Sequence, residues 1–305
     1  MQAIRIHHFG GPEVLQLDEI DKPGAEGGKL RIRVAAASVN PVDYKIRKGG
    51  YPRVTESSLP ITLGRDVAGV VETAAGDFKV GDEVYAHLDW ADGGYADYAV
   101  VIPGGAAAKP KTLDMVAAAG VPLAATTAWQ GLFDHGGLKA GQSVLIHGGA
   151  GGVGGFAVQF AKAKGAHVIA TASGDGLRTV RGYGADEVVD HEKQRFEDVA
   201  HDVDLVFDVI GGETQDRSFA VLKPGGALIS TVQEPDKARA AEKHLKAERY
   251  MATPNGGQLA EIAALIDAGK VKVEVARTFP LAQAADAHCF LENEHPHGKV
   301  VLIVS

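Results

Sequence analysis

Short apolar or alternating runs dominate the first 120 residues, and glycine, proline and aspartate separate them. The runs are KLRIRVAAASV (29–39), VAGVVETAA (67–75), DEVYAHL (82–88) and ADYAVVI (96–102). A period of two residues over such lengths is typical of half-buried strands. Residues 1–120 are therefore predicted to form an all-β unit of the sandwich or partly open barrel type.

From residue 112 the spacing of apolar residues becomes helical, and from Ser143 strands and helices alternate. Thr112 or Asp114 is a candidate cap for the first helix of the alanine-rich stretch 112–138. The later runs are SVLIHG, GGFAVQFAKAKG, AHVIATAS, GLRTVRGYG, DEVVDH, DVDLVFDVIGG, a helix ending at LKPGG, and ALISTV. Because strands and helices alternate with short connections, we predict an α/β fold with a doubly wound parallel sheet.

Two further elements are predicted after this alternation. QLAEIAALIDAGKV (258–271) places Leu259, Ile262, Ala263 and Ile266 on one face of a helix. The last stretch, GKVVLIVS (298–305), has the pattern of a strand. Since it follows the complete α/β region, we expect it to return to the first domain.

Length and composition limit the possible classes of protein. A chain of 305 residues is long enough for two domains of about 150 residues each. We predict a β-rich domain over 1–120, completed by 270–305, and a nucleotide-binding domain over 121–269. The net charge of −8, without a basic block, disfavours a nucleic-acid partner. The single cysteine, Cys289, excludes an internal disulfide framework and a cysteine-rich metal site.

Nothing in the sequence predicts a membrane segment or a secretion signal. Apolar runs of eighteen or more residues are absent, and MQAIRIHHFGG at the start has the pattern of a strand and a turn. The interpretation at this point is a cytoplasmic globular protein without a membrane partner.

The chemistry is indicated most strongly by the loop HGGAGGVGG at 147–155, which follows a predicted strand and opens a predicted helix. Gly149, Gly151 and Gly154 satisfy G-x-G-x-x-G, and Gly148, Gly151 and Gly154 satisfy a G-x-x-G-x-x-G spacing. Glycine there permits a tight turn and close approach of backbone N–H groups to a pyrophosphate at the helix N-terminus. The predicted dinucleotide-binding residues are Gly148, Gly151, Gly152, Val153 and Gly154.

The end of the second strand of this unit favours NADPH over NADH. An NAD-binding unit carries an acid there for the ribose 2′-hydroxyl, but this chain has Thr171, Ala172 and Ser173. Ser173 and Arg178 would suit a 2′-phosphate through charge-assisted hydrogen bonds, provided that Asp175 turns toward solvent. The alternative is that Ser173 merely starts a turn and Arg178 is a solvated helix residue.

The whole chain resembles the medium-chain dehydrogenase/reductase superfamily, and most of all its quinone oxidoreductase branch, which includes zeta-crystallin and the plant alkenal/enone reductases. The motifs that carry the resemblance are FGGPEVLQL (9–17), NPVDYKIRKG (40–49), LGRDVAGVV (63–71), VGDEVYA (80–86), GGYADYAVV (93–101), VPLAATTAWQGL (121–132) and HGGAGGVGG. The resemblance implies a GroES-like β-rich catalytic domain and a Rossmann domain.

The zinc ligands of the superfamily's alcohol dehydrogenases are replaced in this chain. Asn40 stands in the place of the ligand cysteine, and Gly64-Arg65-Asp66 replaces Gly-His-Glu. A catalytic zinc needs three protein ligands and an open position, so we predict a zinc-free enzyme. The remaining candidate, HPH at 295–297, is interpreted as a turn before the last strand. Without a Lewis acid, the implied reaction is hydride transfer to a quinone or to the β-carbon of an α,β-unsaturated carbonyl compound.

The resemblance also implies roles for individual residues. Asn40, Asp43, Lys45 and Tyr51 would lie around the catalytic cleft, with Lys45 on the nicotinamide ribose. Asn40 and Tyr51 would hydrogen-bond the substrate carbonyl, and Tyr51 is a candidate proton relay. The cofactor would also contact Thr126 and Thr127 at its nicotinamide end, His191 near the adenosine phosphate, and Val209 at a strand end.

Simpler structural interpretations stay open for several of these residues. Asn40-Pro41 would then form only a turn, Asp43 would pair with Arg47, and Tyr51 would pack with its hydroxyl in water. His191 would be an ordinary surface histidine. The alternatives in function are an enoyl-thioester reductase and an NADPH-binding sensor or structural protein with little turnover. By analogy with relatives, we expect a homodimer.

Overall fold

The computed structural model describes residues 1–90, 93–294 and 296–304. Its strands, in chain order, are β1 Gln2–Ile6, β2 Leu15–Glu19, β3 Leu30–Val39, β4 Ile61–Thr62, β5 Asp66–Thr73, β6 Glu83–His87, β7 Tyr98–Val101, β8 Ala106–Ala108, β9 Ser143–Ile146, β10 His167–Ala172, β11 Glu187–Asp190, β12 Val203–Asp208, β13 Leu222–Ser230, β14 Lys246–Arg249, β15 Val275–Pro280 and β16 Lys299–Ile303.

Most helices belong to the α/β region and to the connections around it. The α-helices are α1 Pro41–Arg47, α2 Met115–Ala119, α3 Pro122–Trp129, α4 Gly152–Ala163, α5 Gly176–Gly182, α6 Gly212–Ser218, α7 Lys237–Glu242, α8 Gly256–Asp267 and α9 Ala284–Glu294. A π-helix, Gln130–His135, continues α3 directly. Asp114 caps α2 by accepting a hydrogen bond from the Ala117 N–H at 2.8 Å, as predicted for that position.

The chain folds into two compact units. The first comprises Met1–Leu123, Thr253–Asp267 and the segment from Val273 onward, and the second comprises Ala124–Ala252 and Ala268–Lys272. The first unit has β strands in the order β15-β16-β3-β5-β6-β8, with β7 also paired to β3, and a small sheet in the order β2-β1-β4. Its core is aliphatic, with Ile32, Val34 and Val67 fully buried.

The second unit contains the parallel sheet that the alternation predicts. Its order is β11-β10-β9-β12-β13-β14, and its neighbouring strands pair in parallel. The strand β9 lies in the middle, beside β10 on one side and β12 on the other. The loop after β9 is therefore placed at the change of strand order, where open α/β sheets bind their ligands.

The C-terminal strand returns to the first unit, as the sequence predicts. β16 pairs antiparallel with β3, with Val300 opposite Val39 and Val301 opposite Ser38. This register brings Lys299 next to the end of β3, where Asn40 begins α1. Asn40 and Lys299, which are 259 residues apart in the chain, are thus in contact.

Two parts of the fold differ from the sequence-based interpretation. Residues 253–267, which it placed in the nucleotide-binding domain 121–269, belong to the first unit, because α8 packs there and the Tyr85 hydroxyl donates to the Leu259 carbonyl at 2.6 Å. LKPGG does not end a helix. It lies within β13, beside an irregularity in the pairing with β12, and Gly225 adopts φ +77°.

Candidate active site

The loop after β9 has a geometry that requires its glycines. Gly148 adopts φ +69°, in the left-handed region that favours glycine. A Cβ on Gly154 would collide with the Gly148 carbonyl oxygen, which lies against the first turn of α4. Gly151 precedes α4 in an extended conformation and makes no side-chain cap. The N–H groups of Gly152, Val153 and Gly154 lack intrahelical acceptors by helix geometry, so this cradle fits an anionic group.

The ends of the neighbouring strands surround this loop. Val209 follows β12, and its side chain lies against Gly148, 3.0 Å from the position that a Cβ would take there. β10 ends at the buried Ala172, with half-buried Ser173 directly after it and no acid at the strand end. His191, directly after β11, is exposed. Its backbone N–H donates to the Ala172 carbonyl at 3.1 Å.

Arg178 already has a partner. Its guanidinium donates to the Asp175 carboxylate at 2.7 Å, and both side chains are more than four-fifths exposed. Asp175 is exposed, as predicted, but it also neutralises the arginine assigned to the 2′-phosphate. An exposed pair of this kind contributes little stability, so an incoming phosphate can compete for Arg178.

In the second unit, α3 carries both threonines assigned to the nicotinamide end. Thr126 is completely buried and Thr127 is 9% exposed. The Thr127 carbonyl accepts a hydrogen bond from the hydroxyl of Tyr250, which follows β14. Tyr250 is absent from the sequence-based candidates because nothing in the sequence around it marks it as functional.

Asn40 in the first unit has a side chain whose polar atoms are all engaged. Its Nδ2 donates to Asp66 Oδ2 at 2.8 Å and to Ser38 Oγ at 3.2 Å, and its Oδ1 accepts from the Lys299 ammonium. Asn40 also precedes α1, so it begins a helix and not merely a turn. Its contact with substrate stays a prediction. Lys299 was not a candidate, since only the pairing of β16 with β3 brings it here.

Burial controls the ionisation of this cluster. Asp66 is fully buried, and burial raises the pKa of its carboxyl group while Lys299 and hydrogen bonds from Ser38 and Asn40 oppose the rise. Burial also lowers the pKa of the Lys299 ammonium, against the attraction of Asp66 and Asp43. The lysine and Asp66 stabilise each other's charged forms in a site without solvent.

Asp43 is a second fully buried acid of the first unit. Burial raises its pKa to about 7, although the Asn40 N–H and the Tyr95 hydroxyl donate to it at 2.8 and 2.9 Å. The pairing of Asp43 with Arg47 is not found. Arg47 instead contacts Glu292 at 2.6 Å, His288 at 3.2 Å and the Gly10 carbonyl at 3.2 Å.

Tyr51 lies in an aromatic and cationic group. Its ring stacks on Trp90 with a centroid distance of 4.5 Å, and the Arg65 guanidinium lies 4.0 Å from the Trp90 centroid. Arg65 also donates to the Leu88 and Asp89 carbonyls at 2.6 and 2.5 Å, which holds the segment before Trp90. Tyr51 is only 7% exposed, so its ring is part of the packed core of the first unit, and the side chain also carries a hydroxyl group. Lys45 is on the exposed side of α1.

Comparison with known proteins identifies the family. Residues 26–111 match the family described as alcohol dehydrogenase GroES-like domain, and residues 183–302 match zinc-binding dehydrogenase. The chain is 40% identical to an Arabidopsis thaliana chloroplastic NADPH-dependent alkenal/one oxidoreductase, over 99% of this chain and 79% of that protein. The chain belongs to the medium-chain dehydrogenase/reductase family.

Other members of the medium-chain dehydrogenase/reductase family match along their full length. A quinone oxidoreductase from Rattus norvegicus is 33% identical over 100% of this chain and 98% of its own. The structure of the quinone oxidoreductase from Coxiella burnetii has a TM-score of 0.92 at 33% identity, covering 100% of this chain and 99% of that one. The Escherichia coli quinone oxidoreductase complexed with NADPH has a TM-score of 0.88 at 28% identity, with both chains covered completely.

In this member of the medium-chain dehydrogenase/reductase family, cations lie at or beside the two positions that hold zinc ligands in the alcohol dehydrogenases. Asn40 is bonded to Lys299, and Arg65 is bonded to backbone carbonyls. Within the described ranges 1–90, 93–294 and 296–304, no cluster of three or more His, Cys, Asp or Glu side chains could hold a metal ion. The turn predicted at HPH 295–297 includes His295, which lies outside those ranges.

In the part of the chain that the structure describes, no helix has the length and apolar character needed to cross a membrane.

Proposed function

We propose that this protein is an NADPH-dependent oxidoreductase that transfers hydride to quinones or to the C=C bond of α,β-unsaturated carbonyl compounds. The observation that carries the proposal is the glycine cradle between β9 and the uncapped α4. The relatives named as an NADPH-dependent alkenal/one oxidoreductase and as a quinone oxidoreductase support both acceptor classes.

The second unit would hold the dinucleotide along the ends of its central strands. The N–H groups of Gly152, Val153 and Gly154, together with the loop at Gly148 and Gly151, would bind the pyrophosphate. Further along the same sheet edge, we assign Ser173, Arg178 and His191 to the adenosine 2′-phosphate side, because phosphate oxygens accept strong hydrogen bonds from such donors. Thr126, Thr127 and Val209 are assigned to the nicotinamide end.

The first unit would supply the groups that orient the acceptor. When bound, NADPH supplies the hydride. A donor is then needed for the negative charge that develops on the acceptor oxygen. Tyr51 is our first candidate, because its hydroxyl also carries a proton. Asn40 would have to release Asp66 or Ser38 to donate, so its amide serves mainly to hold the start of α1. Lys45 is assigned to the nicotinamide ribose.

The reaction is proposed to be independent of zinc. Asn40 and Arg65 are poor zinc ligands, since an arginine stays protonated and an amide is neutral. The buried Lys299 ammonium beside Asn40 would also repel a divalent cation. The protein must therefore rely on orientation and hydrogen bonding for catalysis.

Two further properties belong to this proposal. A cytoplasmic location agrees with the single cysteine, because disulfide-rich chains are typical of oxidising compartments. A homodimer agrees with the position of β14 at the edge of the parallel sheet, where a second copy can extend the sheet.

The function is tested by measuring NADPH consumption with a quinone, a short enone and an enoyl thioester. Turnover with the quinone or the enone supports the proposal, while turnover confined to the thioester would assign the protein to thioester reduction. Tight NADPH binding without consumption in the whole panel would make it a sensor or structural protein. Chelator treatment should leave the rate unchanged if zinc takes no part.

Arg178→Ala is expected to weaken NADPH binding about tenfold or more, because a charge-assisted hydrogen bond contributes about 1.5–3 kcal/mol. NADH binding should stay unchanged. Asp175→Ala should have the opposite effect, since it frees Arg178 from its ion pair. Calorimetric titration of both nucleotides measures this, with Arg181→Ala on the same helix as the control. Equal losses for NADPH and NADH would contradict the assignment.

Gly154→Ala is expected to reduce NADPH affinity by at least about tenfold and the free energy of unfolding by about 1–3 kcal/mol. The added Cβ meets backbone, which cannot move aside without deforming the cradle. Gly182→Ala is the matched control, because a Cβ at Gly182 meets open space within a helix. That control should be neutral or stabilising by about 1 kcal/mol. Unchanged NADPH binding by Gly154→Ala would remove the loop from the site.

A further inference from the structure

The helix that carries Thr126 and Thr127 changes its winding immediately after them. α3 ends at Trp129, and the π-helix Gln130–His135 follows without a break. Its Gly136 N–H donates to the Gly131 carbonyl at 2.9 Å, which is an i to i+5 hydrogen bond. π-Helical turns are rare and are frequently found at functional sites, so this one needs a physical cause.

The cause is the hydroxyl group of Tyr250. It donates to the Thr127 carbonyl and accepts a hydrogen bond from the Gly131 N–H. In an uninterrupted α-helix these two backbone groups, four residues apart, would bond to each other. The tyrosine hydroxyl is therefore inserted between the acceptor and the donor of one helical hydrogen bond. Such an insertion is a known cause of helix distortion.

The surroundings keep the hydroxyl in this place. A Cβ on Gly131 would lie 2.5 Å from the Tyr250 oxygen and would collide with the Phe207 ring. The hydroxyl therefore has room beside the helix only because residue 131 is a glycine. Tyr250 is 6% exposed, and burial raises the pKa of its phenol, which keeps the donor proton in place.

The far end of the π-helix is held by the same edge of the sheet. The His135 ring stacks on Tyr250 with a centroid distance of 4.3 Å and pairs with the Glu248 carboxylate. Lys246 donates to the His135 carbonyl at 2.6 Å. β14 and the tyrosine after it thus hold both ends of the irregular segment.

We propose that Tyr250 is a positioning residue for the nicotinamide end of the cofactor site, acting through the backbone of Thr127. This inference rests on the proposed function, in which Thr126 and Thr127 contact that end of NADPH. Without the hydroxyl, Thr127 and Gly131 can bond directly, and the segment can rewind as an ordinary α-helix. The threonine side chains then turn away from their present directions, because one residue in an α-helix corresponds to about 100° of rotation.

The test compares two ligands of wild type and Tyr250→Phe: NADPH, and 2′,5′-ADP, which lacks the nicotinamide half. The expected result is about a tenfold weaker affinity for NADPH, with unchanged affinity for 2′,5′-ADP. Gly131→Ala, which displaces the hydroxyl, is the second variant and should show the same selective loss. Tyr85→Phe is the matched control, because it removes another buried hydroxyl bonded to a helix carbonyl, that of Leu259.

The outcomes separate this inference from the proposed function. Equal weakening of both ligands, weakening of neither, or the same selective loss in Tyr85→Phe would overturn the role of Tyr250. Wild-type protein that binds NADPH no better than 2′,5′-ADP would overturn it as well. Absence of turnover with every acceptor in the panel would instead overturn the proposed reaction, while the two binding affinities still decide the role of Tyr250.

Discussion

Replacing Lys299 by methionine is expected to lower the free energy of unfolding by about 3–5 kcal/mol. The change keeps most of the side-chain volume but removes the ammonium that faces Asn40 and Asp66 in a site without solvent. Asp66 would remain buried and would lose the cation that most strongly opposes the rise of its pKa. Urea denaturation followed by circular dichroism measures the loss, which is large for a protein with typical total stability of about 5–15 kcal/mol.

Lys223→Met is the matched control for this prediction. Lys223 pairs with the Asp204 carboxylate, but the lysine side chain is 43% exposed. An exposed pair contributes about 0–1 kcal/mol, so the control should be nearly neutral. The double variant Lys299→Met/Asp66→Asn should regain part of the stability, because it removes the stranded charge as well. Equal effects of the two single lysine variants would refute the electrostatic role of Lys299 beside the buried acids.

Acidification from about pH 7 to about pH 5 is expected to destabilise the protein severely. His87, His147 and His288 are buried, and burial lowers their pKa values to about 3, about 4 and about 3. Below the unfolded value of 6.5 the unfolded chain binds protons that these folded histidines refuse, so stability falls as the pH falls. Three such groups together cost about 6 kcal/mol between about pH 7 and about pH 5, because the full slope of about 4 kcal/mol per pH unit is reached only below 6.5.

Asp43 opposes this trend with the other sign. Its folded pKa of about 7 lies above the ordinary value of 3.8, so the folded state binds a proton that the unfolded state releases. Its contribution therefore grows as the pH falls from about 7 to about 4, by about 1.4 kcal/mol per unit. The three histidines outweigh Asp43, and the net loss between about pH 7 and about pH 5 is about 3 kcal/mol in total.

Denaturation midpoints measured at several pH values check this balance. His147→Gln should flatten the curve by about 1.4 kcal/mol per unit, because it removes one of the three groups. Asp43→Asn should make the curve steeper, because the opposing group is lost. A stability that is constant between about pH 7 and about pH 5 would show that these histidines are accessible to protons in the folded state.

Local patterns in the sequence predicted the elements that depend on near neighbours. The face formed by Leu259, Ile262, Ala263 and Ile266 is buried in α8 as expected, because helical periodicity records which side meets the core. The glycine loop lies after a strand and before a helix, as its sequence predicted. The close contact that requires glycine, between Gly154 and the Gly148 carbonyl, joins two residues of the same nine-residue stretch. The alternation of strands and helices is also visible in the local sequence, and it predicted the parallel sheet.

Contacts between distant segments could not be predicted in this way. The assignment of 253–267 to the first unit depends on Tyr85 meeting Leu259, which no local pattern records. Arg178 could be named as a cation but not as the partner of Asp175, because the choice among exposed rotamers is made in three dimensions.

The sequence by itself determined the fold class, the family, the place of the glycine loop between a strand and a helix, and the residues at the positions of the family's zinc ligands, because each is expressed in the identity of residues close together in the chain. Only the tertiary structure decided which side chain contacts Asn40 and which group causes the change from α-helix to π-helix after Thr127. Lys299 and Tyr250 reach those places through strand pairing and strand order, and the charge and hydroxyl they bring act over a few ångströms of space. Electrostatics and hydrogen bonding depend on such distances, which the order of residues does not record.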